Sequence, residues 1–352
     1  MRSARPCYAG AMVFDPNAAA LPGSGIFGLS DTPDDAKVVL IPVPWDATTS
    51  YRAGAAKGPG AILEASKQVD LFDIETGKPY ASKIAMTDES EEIRAWNVEA
   101  RMLALEVLAV GGHVEGNEKL TAALARVNAL GTLVNDRVYN AAKRWIAAGK
   151  IVGVVGGDHA APFGAIQAHA EAYPGMGVLH IDAHADLRFA YEGFEWSHAS
   201  IMESVSRRLP SIAKIVQVGI RDFCEEELDR IQASKGRIET HYDVDLSRAR
   251  MQGALHTKIE AIAAALPKQV YITFDIDGLD PTLCPSTGTP VPGGLSFHEA
   301  TAIIRALVDG GHTIVGFDLN EVAPSPEGDD EWDGNVGARV LYKLIGWALK
   351  SR

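Results

Sequence analysis

Cysteine is scarce in this chain. Three occur in 352 residues, at Cys7, Cys224 and Cys284, far apart and with no Cys-x-x-Cys pair. That excludes a disulfide framework and fits a reducing cytoplasm. Basic residues are also in deficit: 33 Lys and Arg against 46 Asp and Glu give a formal net charge of −13. A chain so charged suits neither sequence-independent nucleic-acid binding nor polybasic attachment to anionic lipid, since both need Lys and Arg to neutralise phosphates. No apolar run approaches the roughly 18 residues needed to span a bilayer. Pro6, Asp15 and Pro16 interrupt the first apolar stretch before it could serve as a secretory signal. No Gly-x-Gly-x-x-Gly follows an early strand, which disfavours a nucleotide-binding dehydrogenase.

Apolar residues are plentiful, at 47% of the chain, enough for a large core. Short Val- and Ile-rich runs recur at residues 38–43, 151–155, 178–181, 215–218, 270–274 and 314–317, each bounded by Gly, Asp or Pro. Such runs predict strands buried on both faces of a parallel sheet. Between them, residues 122–148, 162–172, 255–266, 296–308 and 336–349 carry helical periodicity, and Ser296 with Glu299 has capping-box spacing. Alternating strands and helices without a linker predict an α/β chain, a three-layer α/β/α domain with a mostly parallel central sheet over residues 37–352. Residues 1–36, rich in Gly, Pro, Ala and Asp, read as an irregular N-terminal arm. The acidic stretch 88–92 reads as a solvated loop.

Sites in open α/β sheets form where loops converge at the carboxyl ends of strands. Four runs end there in chemistry-bearing residues. They lead into Gly156-Gly157-Asp158-His159, Asp182-Ala183-His184-Ala185-Asp186, Asp275-Ile276-Asp277-Gly278-Leu279-Asp280-Pro281 and Asp318-Leu319-Asn320-Glu321. Taken alone, Gly156-Gly157 could be a tight turn and Asp158 or His159 a helix cap. In an extended segment Asp182, His184 and Asp186 share one face, and Asp275 and Asp277 repeat that spacing. Carboxylates and imidazoles so concentrated repel and desolvate one another unless cations compensate. Two imidazoles and four carboxylates exceed the needs of one four-coordinate ion and suffice for a pair about 3.5–4 Å apart.

In this order the motifs resemble those of the ureohydrolases, the arginases, agmatinases and their relatives. The resemblance runs over about residues 37–348 and takes in Ser286-Thr287-Gly288-Thr289-Pro290, Gly293-Gly294-Leu295 and Gly316-Phe317-Asp318-Leu319-Asn320-Glu321-Val322. It implies two divalent ions per chain, Ni2+ or Mn2+. His159, Asp182, Asp186 and Asp275 would hold one; His184, Asp182, Asp275 and Asp277 would hold the other, with Asp182 and Asp275 shared. It makes His198 the proton shuttle, with Asp186 and Glu321 beside it in the catalytic set. Glu321 would orient the substrate's guanidinium through charge-assisted hydrogen bonds. Asp158 and Asp280 would support the ligands from behind.

Departures from the arginase pattern bear on the substrate. Leu187, Arg188, Phe189, Ala190 and Tyr191 stand where polar readers of an amino acid are expected, and Cys224 stands where an acid is. The aromatics Phe189, Tyr191, Phe194 and Trp196 either pack their loop or wall a small cationic site, with Tyr191 and Trp196 touching substrate beside His198 and Glu321. The segments 44–51, 191–194 and 332–339 resemble an agmatinase-like bacterial branch that includes nickel-dependent guanidine hydrolases. The expected activity is hydrolysis of a small guanidino compound (guanidine, an alkylguanidine or a biguanide) to urea plus ammonia or an amine. The alternatives are a manganese agmatinase or guanidinobutyrase and a non-catalytic subunit of a hetero-oligomeric ureohydrolase. Implied partners are further copies of the chain (trimer or hexamer), a related subunit and, with nickel, a metal-loading chaperone.

Overall fold

The computed structural model describes residues 14–328 and 331–352, so the first thirteen residues of the expected arm lie outside it. Eight strands form one parallel sheet: β1 (Val38–Val43), β2 (Ile84–Met86), β3 (Ile151–Gly156), β4 (Gly177–Ile181), β5 (Lys214–Ile220), β6 (Ile238–Tyr242), β7 (Gln269–Asp275) and β8 (Thr313–Asn320). Their order is β2-β1-β3-β8-β7-β4-β5-β6. The helices are α1 (Gly58–Ser66), α2 (Glu91–Leu108), α3 (Glu118–Ala147), α4 (Phe163–Ala172), α5 (Ile201–Arg208), α6 (Glu225–Ala233), α7 (Asp243–Met251), α8 (Leu255–Ala264), α9 (Phe297–Asp309) and α10 (Trp332–Lys350).

Both faces of the sheet are covered, as uninterrupted Val and Ile runs require. Along β1, Val38 and Leu40 enter one apolar cluster, while Val39, Ile41 and Val43 enter another on the opposite face. Ile62, Ile262, Ile303 and Leu341 bring α1, α8, α9 and α10 onto the first face. Val107, Val134, Ala165 and Met202 bring α2, α3, α4 and α5 onto the other. The expected three layers are therefore present. Among the described residues, no helix is long and apolar enough to cross a membrane.

Three features differ from the sequence reading. The sheet gains two edge strands, the three-residue β2 and the half-buried β6, because an edge strand carries little apolar signal. The acidic stretch is only partly a loop: Glu91 and Glu92 form the first turn of α2, where Ser90 Oγ accepts from Ile93 N at 3.4 Å. Carboxylates at a helix N-terminus are favourable, which explains why Glu91 and Glu92 can start a helix. In the arm, Ile26, Phe27 and Leu29 are buried in the core, and the Phe27 ring lies 4.8 Å from that of Tyr342.

Topology places the site. After β3 the chain lays down β4 with a gap between them, and β8 and β7 later fill that gap. The four strands whose ends carry the motifs are thus four central neighbours, β3-β8-β7-β4. A crevice at such a reversal of strand order is where α/β sheets bind ligands.

Candidate metal centre

The Gly-Gly step after β3 serves close approach and not a turn. A Cβ on Gly157 would lie 1.8 Å from Trp45 O, and Asp158 N donates to that same carbonyl at 2.7 Å. The chain after β3 is thereby pressed against the chain after β1, and His159 is delivered over the sheet end. Its side chain is fully buried. Nδ1 lies 2.9 Å from Asp182 Oδ2, 3.2 Å from Asp186 Oδ2 and 3.3 Å from Asp275 Oδ2. Nε2 lies 2.8 Å from Thr273 Oγ1, whose hydroxyl donates to Asp318 Oδ1 at 2.8 Å. The threonine proton being so committed, His159 donates from Nε2, and although burial opposes its charge, hydrogen bonds of Nδ1 to the three carboxylates raise the imidazole well above its ordinary range.

Residues 182–186 do not prolong β4. The strand stops at Ile181, and Asp186 takes a left-handed backbone with φ 53°. Asp186 O accepts from Met202 N at 3.0 Å and Glu203 N at 3.1 Å, so the start of α5 fastens the bend. The bend, and not strand alternation alone, turns the side chains of Asp182, His184 and Asp186 to one centre. Oxygen and nitrogen atoms of His159, His180, Asp182 and Asp186 form one group all within 4.8 Å of one another, and those of Asp182, His184 and Asp277 form a second. Asp182 belongs to both. His184 Nδ1 stands 3.1 Å from Asp277 Oδ2 and 3.5 Å from Asp182 Oδ1. All six sequence-derived ligands therefore converge. His180 is an addition, hidden in the sequence as one interior residue of an apolar run.

The electrostatics call for cations. Burial and the neighbouring Asp182 push Asp186 up to about 7. Burial, with Asp277 and Asp182 close by, holds Asp275 well above the carboxylate range. Burial opposes charge on His184, yet Asp277 and Asp182 raise it to about 12. The carboxylates hold protons because like charges crowd them, His184 holds its own because they are negative, and divalent ions relieve that crowding. The donor set of carboxylate oxygens and imidazole nitrogens fits an ion of the manganese or nickel type.

Around this centre lies a cavity of about 170 Å3, lined by His184, Asp186, Arg188, Tyr191, His198 and Asp222 among others. His198 is half-buried, and burial together with His184 and His159 lowers its pKa to about 4. Glu321 is buried at the end of β8, where Oε1 accepts from His159 N at 3.0 Å. Burial and the charge of Asp275 hold its pKa well above the usual range. Asp158, next in the chain to His159, is wholly buried and accepts from Ala160 N. The Asp280 side chain accepts twice from Thr282, in its own turn.

The aromatic wall is mostly absent. Phe194 is fully buried in the helix layer. Trp196 packs 4.9 Å from the Phe163 ring and donates Nε1–H to Thr132 Oγ1 at 2.9 Å, so it braces the loop instead of facing the cavity. Phe189 is exposed beneath Arg207. Only Tyr191 of the four lines the cavity, joined by Phe223. Nor is the acid at residue 224 simply missing. Cys224 caps α6, and Glu227 and the adjacent Asp222 both line the cavity.

Comparison with known proteins agrees with this geometry. The chain is 34% identical over 322 residues to an N(1)-aminopropylagmatine ureohydrolase of Thermus thermophilus, covering 91% of this chain and 94% of the relative. It is 29% identical to an agmatinase of Bacillus anthracis, covering 89% and 93%. A solved structure from Burkholderia thailandensis, described as a hypothetical agmatinase, superposes with a TM-score of 0.68 at 26% identity over 98% of this chain and 96% of that one. The proclavaminate amidinohydrolase of Streptomyces clavuligerus shares the fold, with a TM-score of 0.70 over 95% of this chain and 100% of its own. The Arginase family model matches residues 36–346, nearly the whole of the described domain, and the chain belongs to that family of metal-dependent hydrolases of carbon–nitrogen bonds.

Proposed function

We propose that the chain hydrolyses a small guanidino compound with an uncharged tail, guanidine, an alkylguanidine or a biguanide, to urea and ammonia or an amine. The observation that carries this reading is Arg188. It lines a cavity of only about 170 Å3 together with His198 and Asp186. Its guanidinium lies 4.9 Å above the Tyr191 ring, and its Nε lies 3.7 Å from Glu227. A substrate enters as a cation, and a second positive charge in its tail would meet Arg188 in a confined space. A short neutral tail brings no second charge to Arg188 and has Tyr191 and Phe223 among the residues it can pack against.

In this reading His159, Asp182, Asp186 and Asp275 would hold one divalent ion, and His184, Asp182, Asp275 and Asp277 would hold the other. Such a pair supplies a hydroxide nucleophile near neutral pH. The protein's own groups do the rest. Glu321 Oε1 is engaged by His159 N, while Oε2 faces Gly288, where even a Cβ would come within 3.3 Å. In this reading Oε2, the oxygen that His159 N leaves free, receives N–H groups of a planar guanidinium and holds its carbon toward the nucleophile. His198, neutral because burial disfavours its charge, takes a proton during attack and returns it to the departing nitrogen. Without that proton the leaving group would be an amide anion, too basic to depart.

A second reading, an agmatinase or guanidinobutyrase, has one observation in its favour. Asp222 lines the same cavity and could receive a tail ammonium. Relatives whose substrates carry such tails match along most of the chain. A urea-release screen over guanidine, methylguanidines, biguanides, agmatine, 4-guanidinobutyrate and arginine separates the two, run on protein loaded separately with nickel and manganese. The expected result is highest kcat/KM for a small neutral-tail guanidine, weaker turnover of agmatine and negligible turnover of arginine. Agmatine or arginine as best substrate overturns the proposal.

A further inference from the structure

His180 is fully buried on β4, two residues before Asp182 and on the same strand face. Its Nε2 lies 2.7 Å from Asp182 Oδ2, inside the first group of ligand atoms. Position alone allows two roles: a seventh ligand, or a donor to Asp182. The other ring nitrogen decides. Nδ1 lies 3.0 Å from Gln217 Nε2. The orientation of that amide is fixed by Ala185 O, an obligate acceptor to which Gln217 Nε2 also donates at 2.7 Å, and Gln217 Oε1 then accepts from Thr240 Oγ1 at 2.9 Å. Reversing the amide would set oxygen against the Ala185 carbonyl. An amide nitrogen only donates, so Nδ1 accepts and the single proton of a neutral imidazole resides on Nε2. A nitrogen bearing a proton cannot ligate a metal.

We propose that His180, set in one tautomer by Gln217 and Thr240, is a positioning residue that donates to Asp182 and fixes how this carboxylate is shared between two ions. The inference rests on the two-ion reading above. Asp182 Oδ1 already accepts from His184 N at 2.6 Å, and His180 pins Oδ2. With one hydrogen bond on each oxygen the carboxylate cannot rotate. Oδ2 then faces His159 and Oδ1 faces His184, one oxygen toward each group of ligands. Through Ala185 O, the same Gln217 amide ties the ligand-bearing bend to β5. Nothing in the sequence marks these residues: Gln217 and Thr240 lie 37 and 60 positions from His180 and on two other strands.

The test is Mn2+ binding to metal-stripped protein, followed by calorimetric titration, elemental analysis and the electron paramagnetic resonance signature of a coupled ion pair. The wild type taking up two coupled ions establishes the frame; a single ion overturns the two-ion reading itself. His180→Leu is expected to weaken Mn2+ binding about 10–100-fold and to lose the coupled signal. His180→Gln, whose Nε2 reaches the place of the imidazole Nε2, is expected to restore both. Gln217→Met, with His180 intact, should lose affinity in the same direction but less. Wild-type affinity and coupling in His180→Leu overturn the inference. So does His180→Gln binding as poorly as His180→Leu, the result expected of a true ligand. Should His180→Leu not fold, unchanged affinity in Gln217→Met overturns it instead.

Discussion

Each oxygen of Asp182 receives a hydrogen bond while facing a different histidine, so the loss of this one side chain disturbs both groups of ligands at once. Asp182→Ala is expected to reduce bound metal to one ion or fewer per chain and to abolish measurable turnover. Elemental analysis after dialysis checks it, and two retained ions would refute the shared role. His198 differs in kind. It lines the cavity, and among the described residues neither group of candidate ligand atoms includes it. His198→Ala should lower kcat by about 10²–10⁴-fold at unchanged metal content. Parallel loss of metal would instead mark it as a ligand. Arg188 tests selectivity: Arg188→Ala should raise kcat/KM for agmatine relative to methylguanidine, measured as urea released. An unchanged ratio would show that Arg188 only braces Tyr191.

Among the elements, α4 meets β8 through a tight fit. His169 on α4 is buried against Tyr271, and a Cβ on Gly316 would come within 2.2 Å of its Nε2. Nδ1–H donates to Ala165 O at 2.7 Å, whereas Nε2 has no partner, and burial lowers the imidazole from its ordinary 6.5 to about 4. The sign follows from proton counting. Between pH 6.5 and 4 the unfolded chain holds a proton here and the folded chain does not, so stability is full above pH 6.5 and is lost as pH falls toward 4. From pH 7 to pH 5 this histidine alone removes about 2 kcal/mol. Urea unfolding of metal-stripped wild type and His169→Asn at both pH values checks it. The wild type should lose about that much more than the variant.

At the scale of the molecule, the six candidate ligands come from three central strands, β3, β4 and β7, and their following loops, so the centre ties together segments far apart in the chain. A cation bound only by the folded state stabilises it by mass action, about 2.7 kcal/mol at a hundred times Kd. Chelation is therefore expected to lower Tm, and stepwise Mn2+ addition to raise it up to the second equivalent. A Tm indifferent to chelation would show that carboxylate repulsion is not a force on the fold.

Local chemistry made much of this legible. Val-Ile runs ending in Asp or His announced strands and site together, because strand burial and the carboxyl-end crevice are both encoded within a few neighbouring residues. Ser296 and Glu299 form the capping box that their spacing implied. The motifs read by resemblance singled out six candidate ligands, Glu321 and His198, and the structure brings these residues near one another. Contacts between distant segments were not legible. Trp196 and Phe194 belong to an aromatic loop by composition, but their direction depends on α3 and α4, which offer Thr132 and Phe163 as partners. The proton on His180 is set by an amide from β5, itself held by a hydroxyl from β6. That β3, β8, β7 and β4 stand side by side follows from the order in which strands fill the sheet, which no single segment specifies. Periodicity and residue chemistry act over a few bonds and so are written in the chain. Tautomer, side-chain direction and strand adjacency are settled by groups that only folding brings within hydrogen-bonding distance.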